Sequence, residues 1–281
     1  MRTKDRIEQI LETVTIPTLP SVVARINALL DDPNAGMPEI AGVVTQDASM
    51  AAKVLRMANS AYYGQTEQVV SIQRAAVVLG SSTLKNIVLQ ASLIGRYEHL
   101  AGSPDFDPAL VWKHAVLTAQ VSQSIAKECR AALALDPDEF YTCGLLHDVG
   151  KIVFLDGCGD DYLNAIYKAR LARMPLELAE ERTFGFSHAD IGAMVAAHWK
   201  LPRPVVAAIR LHHGDAESAR DNPNILVVRT ADKVANAARF DETPDPDALV
   251  PLATRHRLGL PFESLRDALE SAADAWATIQ L

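Results

Sequence analysis

The spacing of apolar residues limits the fold of this chain more than any other feature of its sequence. After the segment IPTLPS, apolar side chains recur three or four positions apart, as on one face of a helix: Val22, Val23, Ile26, Leu29 and Leu30. Most other apolar segments follow the same period, whereas the alternation of apolar and polar residues that indicates strands is nearly absent. The sequence therefore predicts an all-α fold.

One segment rich in turn-forming residues interrupts the helical pattern. Residues 100–110, LAGSPDFDPAL, contain two prolines, two aspartates, a glycine and a serine between two helical runs. We therefore expect an N-terminal helical lobe over residues 1–103 and a second helical lobe over residues 104–281. The second lobe ends in an amphipathic helix whose apolar positions include Leu265, Leu269 and Trp276.

The charge and the distribution of apolar residues argue against several classes of protein. The formal net charge is −8, and nucleic-acid binding depends on clustered lysine and arginine, so we expect no nucleic-acid partner. No segment reaches the roughly 18 uncharged apolar residues that span a bilayer, so we expect a cytoplasmic protein without a membrane partner. The three cysteines form no CxxC pair, which argues against a disulfide framework or a zinc ribbon.

Histidine and aspartate residues lie inside apolar segments, where their burial requires a partner. The doublet His147-Asp148 stands in GLLHDVGK, and Asp232 stands in RTADKVANA. Burying an imidazole or a carboxylate on an apolar helix is costly unless another group satisfies it. A divalent cation satisfies several such side chains at once. The alternative is a hydrogen-bonded network of the same groups without metal.

Lys151 follows His147 by four residues, which places both on one face of a helix. If His147 binds a metal ion, the ammonium group of Lys151 is positioned to neutralise an anion held by that ion, such as a phosphate. The alternative is an exposed lysine that merely follows the glycine at position 150. Lys151 is therefore a candidate catalytic phosphate clamp only if the protein is an enzyme.

The order of the histidines and aspartates resembles the HD superfamily of metal-dependent phosphohydrolases, whose signature is H…HD…D on a helical core. A longer set of segments makes the whole chain similar to the HDOD family, the HD-related output domain of bacterial signalling proteins. These segments lie in family order between about residues 16 and 235: IPTLPSVVARINALL, VTQDASMAAKVLRMANSAYYG, SIQRAAVVLG, VWKHAVLTA, GLLHDVGK, FSHADIGAMVAAHWKLP and IRLHHG. The resemblance implies an all-α fold, in which an N-terminal helical lobe packs on an HD-like helical lobe, and a role in signal output.

The resemblance also implies which side chains would bind metal. One ion would be held by His114, His147, Asp148 and Asp232, and a second by His188, His212 and His213 with Asp148 as a bridge. HDOD proteins commonly lack part of this site, whereas the present sequence has a candidate at every ligand position. The set of imidazoles and carboxylates suits Fe, Mn, Co, Ni or Zn, and the sequence does not choose among them.

A motif of related hydrolases is missing from the sequence. The HD-GYP phosphodiesterases of cyclic dinucleotides carry a GYP motif soon after the paired histidines, whereas this chain reads HHGDAESARDNPNILVV, with Arg220 as its one basic residue. We therefore favour a regulatory module that binds signalling proteins, or a nucleotide or phosphate ligand, over an enzyme. The second hypothesis is a metal-dependent phosphohydrolase, in which bound metal activates water and Lys151 stabilises charge on the phosphate.

Overall fold

The computed structural model describes residues 3–64, 66–214, 222–240 and 244–279. Across these ranges the chain is helical, with no strand and a single isolated β-bridge between Ser103 and Phe106. The predicted all-α fold is therefore confirmed. None of the helices in these ranges is both long enough and apolar enough to cross a membrane.

The helices divide into two compact units. The smaller unit spans Leu19–His99, and the larger unit combines Met1–Thr18 with Leu100–Leu281. Residues before Leu19 thus belong to the larger unit, whereas the sequence interpretation grouped them with residues up to 103. One long-range hydrogen bond accounts for part of this difference, because the indole Nε1 of Trp199 donates to the carbonyl of Pro17 over 2.7 Å.

Helix α1 (Thr3–Thr13) precedes the smaller unit, which contains α2 (Ser21–Leu30), α3 (Met37–Thr45), α4 (Ala48–Ala58), α5 (Ile72–Leu79) and α6 (Ser81–Tyr97). Side-chain caps fix the starts of two of these helices. Asp47 accepts a hydrogen bond from the backbone N–H of Met50, and Ser71 accepts one from that of Arg74. The helices bury one apolar face each in a core of aliphatic side chains, among them the fully buried Ile87.

The larger unit is built from the remaining helices: α7 (Pro108–Glu128), α8 (Pro137–Leu146), α9 (Val149–Cys158), α10 (Asp160–Leu171), α11 (Leu176–Phe184), α12 (His188–His198), α13 (Arg203–Arg210), α14 (Pro223–Arg239), α15 (Pro246–Leu249), α16 (Leu252–Leu258) and α17 (Phe262–Thr278). Helix α7 is central, because it packs against α8, α14 and α17. A helix covered on several sides is buried around most of its circumference. His114, near the middle of α7, is accordingly almost completely inaccessible to solvent.

Aromatic rings pack between α9, α10 and α11. The ring of Phe154 stacks on Tyr162 at a centroid distance of 4.8 Å and on Phe186 at 5.4 Å, and it contacts Phe184 at 4.9 Å. These contacts exclude water from around the hydroxyl of Tyr162, which is fully buried. A buried hydroxyl needs a hydrogen-bond partner, and the partner of this one is an acidic side chain of the site described next.

Candidate metal centre

The larger unit brings the seven predicted metal-ligand residues together from several helices. His114 lies on α7, and Asp232 lies on α14, which packs against it. The remaining five stand at helix ends: His147 at the end of α8, Asp148 immediately before α9, His188 at the start of α12, and His212 and His213 just after α13. The backbone leaves its helical path at such ends, so adjacent residues can face one centre.

Asp148 is the centre of this arrangement. Its Oδ2 lies 3.4 Å from Nε2 of His147 and 3.8 Å from Nε2 of His114. Its Oδ1 lies 3.3 Å from Nε2 of His188 and 3.7 Å from Nε2 of His212. The two oxygens of one carboxylate therefore face two different sets of imidazoles.

The histidines and aspartates form two groups of potential ligand atoms that share Asp148. In the first group, which contains His114, His147 and Asp148, all ligand atoms lie within 4.8 Å of one another. Asp232 adjoins this group, with Oδ1 at 3.0 Å from Nε2 of His114 and 3.7 Å from Nε2 of His147.

The second group joins Asp148 to three histidines within the same limit of 4.8 Å: His188, His212 and His213. The Nε2 atoms of His188 and His213 are 2.9 Å apart. Two imidazole nitrogens can approach this closely when a proton or a cation lies between them. The two groups correspond to the two ligand sets that the family resemblance implied, with Asp148 common to both.

Backbone carbonyls orient two of the imidazole rings. Nδ1 of His147 is 2.6 Å from the carbonyl of Gly144, and Nδ1 of His212 is 2.6 Å from that of Ile209. A carbonyl only accepts hydrogen bonds, so each Nδ1 must carry the proton, and in a neutral ring Nε2 then presents a lone pair. Both Nε2 atoms are directed towards Asp148, as a ligand nitrogen must be to bind metal.

Several buried polar atoms of the centre have no hydrogen-bond partner among the described residues. They are Nδ1 of His114, Nε2 of His147, Nε2 of His212 and Oδ1 of Asp148. An unsatisfied buried donor or acceptor costs about 1–3 kcal/mol, and more when it is charged. Three of these atoms, Nε2 of His147, Nε2 of His212 and Oδ1 of Asp148, face the centre from the ends of three different helices. A divalent cation would satisfy these three atoms together.

Glu180 is a buried residue of the centre that the sequence interpretation missed. It is completely inaccessible, and its Oε2 accepts hydrogen bonds from the backbone N–H of His188 at 2.8 Å and from Nδ1 of the same ring at 2.6 Å. Its Oε1 accepts a hydrogen bond from the hydroxyl of Tyr162 at 2.8 Å. Glu180 thereby fixes the tautomer of His188, so that its Nε2 faces Asp148 and His213.

The environment divides the histidines into neutral and charged rings. Burial lowers the pKa of His212 to about 4 and also lowers the pKa of His114 and His213. Burial alone would lower the pKa of His147 too, but Asp148 and Asp232 raise it to about 10. In the absence of metal, His147 is therefore an imidazolium ion attracted by two carboxylates at 3.4 and 3.7 Å, although its Nε2 makes no hydrogen bond to either. A metal ion would take the place of its Nε2 proton.

The carboxylates are held ionised by the cations around them. Burial alone would raise the pKa of Asp148, but His147 and Lys151 hold it well below its usual range. Burial would likewise raise the pKa of Asp232, and the hydrogen bond from His114 and the charge of His147 hold it well below that range. Both aspartates are therefore anionic at neutral pH, which is the form in which a carboxylate can bind metal.

Lys151 lies beside the centre, paired with Asp148. Its Nζ is 2.6 Å from Oδ2 of Asp148, and its side chain is 18% exposed. Burial would lower the pKa of Lys151, but Asp148 raises it, so the side chain is an ammonium ion. The pair with Asp148 uses one of its three N–H donors, which leaves the others for an external anion.

Comparisons with known proteins agree on the family and the fold. A family model of the HDOD domain matches residues 16–214. An uncharacterised protein of Treponema pallidum is 29% identical over 198 residues, which are 70% of this chain and 37% of the relative, so the match spans well under half of that protein.

Solved structures have the same fold over nearly the whole chain. An HDOD domain protein of unknown function from Geobacter sulfurreducens has a TM-score of 0.81 at 24% identity, with 98% of this chain and 97% of the other covered. A candidate phosphohydrolase from Shewanella amazonensis has a TM-score of 0.75 at 23% identity, with the same coverage of 98% and 97%. A candidate signal-transduction protein from Marinobacter aquaeolei has a TM-score of 0.72 at 23% identity, with 99% of this chain and 60% of the other covered.

Proposed function

Because the chain belongs to the HDOD family, whose model matches residues 16–214, we propose that it is a regulatory module that acts by binding and not by turnover. Its larger unit holds one or two divalent ions in the two groups around Asp148. Its partners are signalling proteins or a nucleotide or phosphate ligand. The matched segment covers 37% of the length of the relative from Treponema pallidum. The activity and partners of a whole protein of that length are therefore also proposals.

The partnerless buried atoms of the centre carry the proposal of a bound metal. Nε2 of His147, Nε2 of His212 and Oδ1 of Asp148 are fully buried without a hydrogen-bond partner among the described residues. One ion in each group would satisfy these atoms together with Nε2 of His188 and His213. Imidazole nitrogens and carboxylate oxygens suit Fe, Mn, Co, Ni or Zn better than the hard cations Mg and Ca.

One feature of the sequence favours binding over catalysis, because the GYP motif is absent after His213. Residues 215–221, which include Arg220, lie outside the described residues.

A metal-dependent phosphohydrolase is the second candidate function, and the sharing of Asp148 favours it. One carboxylate common to two groups of imidazoles is the arrangement of a two-metal site. Metal bound there would supply Lewis-acid chemistry, which activates water and polarises a phosphoester. This chain would contribute Lys151, whose ammonium group would use the N–H donors not bonded to Asp148 to stabilise charge on the phosphate.

Metal analysis combined with a turnover assay tests the proposal. The protein is purified without added metal, its content of Fe, Mn, Co, Ni and Zn is measured, and the measurement is repeated after reconstitution. We expect the metal content to rise to one ion per chain if one group is filled, or to two ions if both groups are filled. We expect no hydrolysis of bis(p-nitrophenyl) phosphate, p-nitrophenyl phosphate or a cyclic dinucleotide.

Each part of the proposal has its own contrary result. Metal that stays substoichiometric after reconstitution contradicts the metal site and the phosphohydrolase together. Metal-dependent hydrolysis that disappears in both His147→Ala and Asp148→Ala contradicts the non-catalytic role and establishes the second candidate instead.

Glu180→Gln should weaken metal binding in the second group without unfolding the protein. Glutamine keeps an oxygen that can accept the hydrogen bonds from His188, but it lacks the negative charge that makes the imidazole a better ligand. Loss of such a supporting carboxylate typically costs about 10–100-fold in metal affinity. Competition with a chromogenic chelator measures the affinity.

Tyr162→Phe is the matched control for Glu180→Gln, because it removes one hydrogen bond to the same carboxylate but leaves the charge. Its metal affinity should stay much closer to that of the wild type. Equal affinities for Glu180→Gln and the wild type would show that the carboxylate does not support His188 as a ligand.

A further inference from the structure

A groove opens beside the second group of ligands. It has a volume of about 900 Å³ and is lined by residues of α11, α12 and α13, and it extends to His213 and Gly214. Pockets for small molecules have volumes of roughly 300–1,000 Å³. The groove therefore has the size of a small-molecule site, and it lies wholly within the larger unit.

His213 connects the groove to the metal centre. It is partly accessible, whereas Asp148, His188 and His212 in the same group are buried. Its ring lines the groove and also places Nε2 at 2.9 Å from Nε2 of His188. Among the described residues of this group, His213 is therefore the one that a molecule in the groove would meet first.

Residues of both charges line the groove. Helix α12 contacts both α11 and α13, and residues of all three helices line the groove. Helix α11 contributes the carboxylates of Glu177 and Glu181, and α13 contributes the guanidinium groups of Arg203 and Arg210. Alanine, valine and leucine side chains also line the groove. The lining thus offers separate contacts for an anion, a cation and a short apolar segment.

Arg210 belongs to the part of α13 nearest to His213. Its side chain is 46% exposed, and its Nε lies 3.5 Å from Oδ1 of Asp190. The other oxygen of Asp190 accepts a hydrogen bond from the backbone N–H of Ser187 at 3.1 Å, so this carboxylate is committed to the start of α12. The guanidinium group has five N–H donors, so pairing with Asp190 leaves others for an anion in the groove.

We propose that the groove binds a small zwitterionic molecule. A phosphate or carboxylate group lies at the end formed by Arg210 and His213, an ammonium or amino group lies against Glu177, and a short alkyl segment joins them. Arg203 and Arg210 are seven residues apart on one helix, which corresponds to about 10 Å. This inference deepens the proposed function and rests on it in one respect, since a metal ion in the second group would add to the attraction for the anion.

Calorimetric titration of the full chain with four probes tests the proposal. The probes are 6-aminohexyl phosphate, hexyl phosphate, 6-aminohexanoate and hexylamine. We expect 6-aminohexyl phosphate to bind at least about threefold more tightly than hexyl phosphate, because an exposed ion pair contributes modestly. The ratio between the phosphate and the carboxylate zwitterions shows which anion the groove prefers. Probes that bind equally with and without an amino group, or do not bind at millimolar concentration, overturn the proposal.

Variants of residues that line the groove provide the second measurement. Arg210→Gln should weaken 6-aminohexyl phosphate by about threefold or more, and Glu177→Gln should remove much of the advantage of the amino group. Arg203→Gln should weaken it less, because Arg203 lies about 10 Å along α13 from Arg210. Arg266→Gln, on the exposed face of α17, is the matched control and should leave binding unchanged. Wild-type affinity in Arg210→Gln overturns the proposal, and so does an undiminished advantage of the amino group in Glu177→Gln.

Metal content measured on the same samples separates this inference from the proposed function. Zwitterion binding that depends on Arg210, in protein that stays without metal after reconstitution, supports the groove while contradicting the metal site. Stoichiometric metal without zwitterion binding overturns the groove alone and leaves the metal site intact.

Discussion

Asp148→Asn is expected to abolish metal binding in both groups of ligands. Asp148 is the one side chain common to the two groups, with Oδ2 facing His147 at 3.4 Å and Oδ1 facing His188 at 3.3 Å. An asparagine in its place offers a neutral oxygen to one group and an N–H₂ donor to the other, and a donor repels a cation. We expect the affinity for metal to fall by more than about 100-fold, beyond the loss caused by a supporting residue. Elemental analysis after dialysis against buffered metal measures the effect.

Substitutions that each affect one group are the controls for Asp148→Asn. His114→Ala should reduce metal in the first group, and His213→Ala should reduce it in the second, so each should retain about half of a two-ion content. Asp267→Asn changes an exposed carboxylate of α17 and should have no effect. Wild-type metal content in Asp148→Asn would contradict the arrangement of two groups around one carboxylate.

The helical fold could be predicted because its signal is local. Apolar residues such as Ile26 and Leu29 repeat within a single helix, and each helix buries the face on which they lie. The position of the N-terminal residues could not be predicted in this way. Trp199 holds Pro17 by a hydrogen bond that joins residues 182 positions apart, and neither residue carries a local signal for the other. The grouping of residues 1–18 with the larger unit follows from such contacts.

The candidate site shows the same division between local and distant signals. The doublet His147-Asp148 is conspicuous, because charged residues are unexpected in an apolar segment. Glu180 is not conspicuous, since it stands beside Glu181 in a charged stretch, and nothing in its spacing indicates which glutamate is buried. Only the packing of α11 against α12 and the burial of Tyr162 direct Glu180 towards His188. The residues that would bind metal could be proposed from the sequence, whereas the residue that orients one of them could not.

The structure explains why a glycine stands at position 150, two residues after Asp148. Gly150 lies in the first turn of α9, where the helix passes very close to the start of α12. A Cβ atom at this position would lie 2.0 Å from the carbonyl oxygen of His188 and 2.7 Å from its carbonyl carbon. Both are backbone atoms that cannot rotate away, so a side chain at position 150 would push α9 and α12 apart.

Gly150→Ala is therefore expected to destabilise the larger unit and to impair metal binding together. Overpacking of this kind typically costs about 1–3 kcal/mol and sometimes more, and the severity of this backbone contact leads us to expect at least the upper value. The gain of about 1 kcal/mol from replacing glycine in a helix offsets only part of the loss. Separation of α9 from α12 would also move Asp148 away from His188, so metal content should fall in the protein that remains folded.

Urea denaturation and elemental analysis of Gly150→Ala and Gly42→Ala test this explanation. Gly42 lies within α3, and no described atom outside its chain neighbours and the nearby backbone of its own helix lies within 4 Å of the position that an alanine methyl group would take there. Alanine at position 42 should therefore stabilise the smaller unit by up to about 1 kcal/mol and leave metal content unchanged. Opposite signs for the two substitutions would show that close backbone packing, and not a general intolerance of alanine, requires glycine at position 150. An unchanged denaturation midpoint and wild-type metal content in Gly150→Ala would contradict the close approach of α9 and α12, and with it the alignment of Asp148 and His188 on which the second group depends.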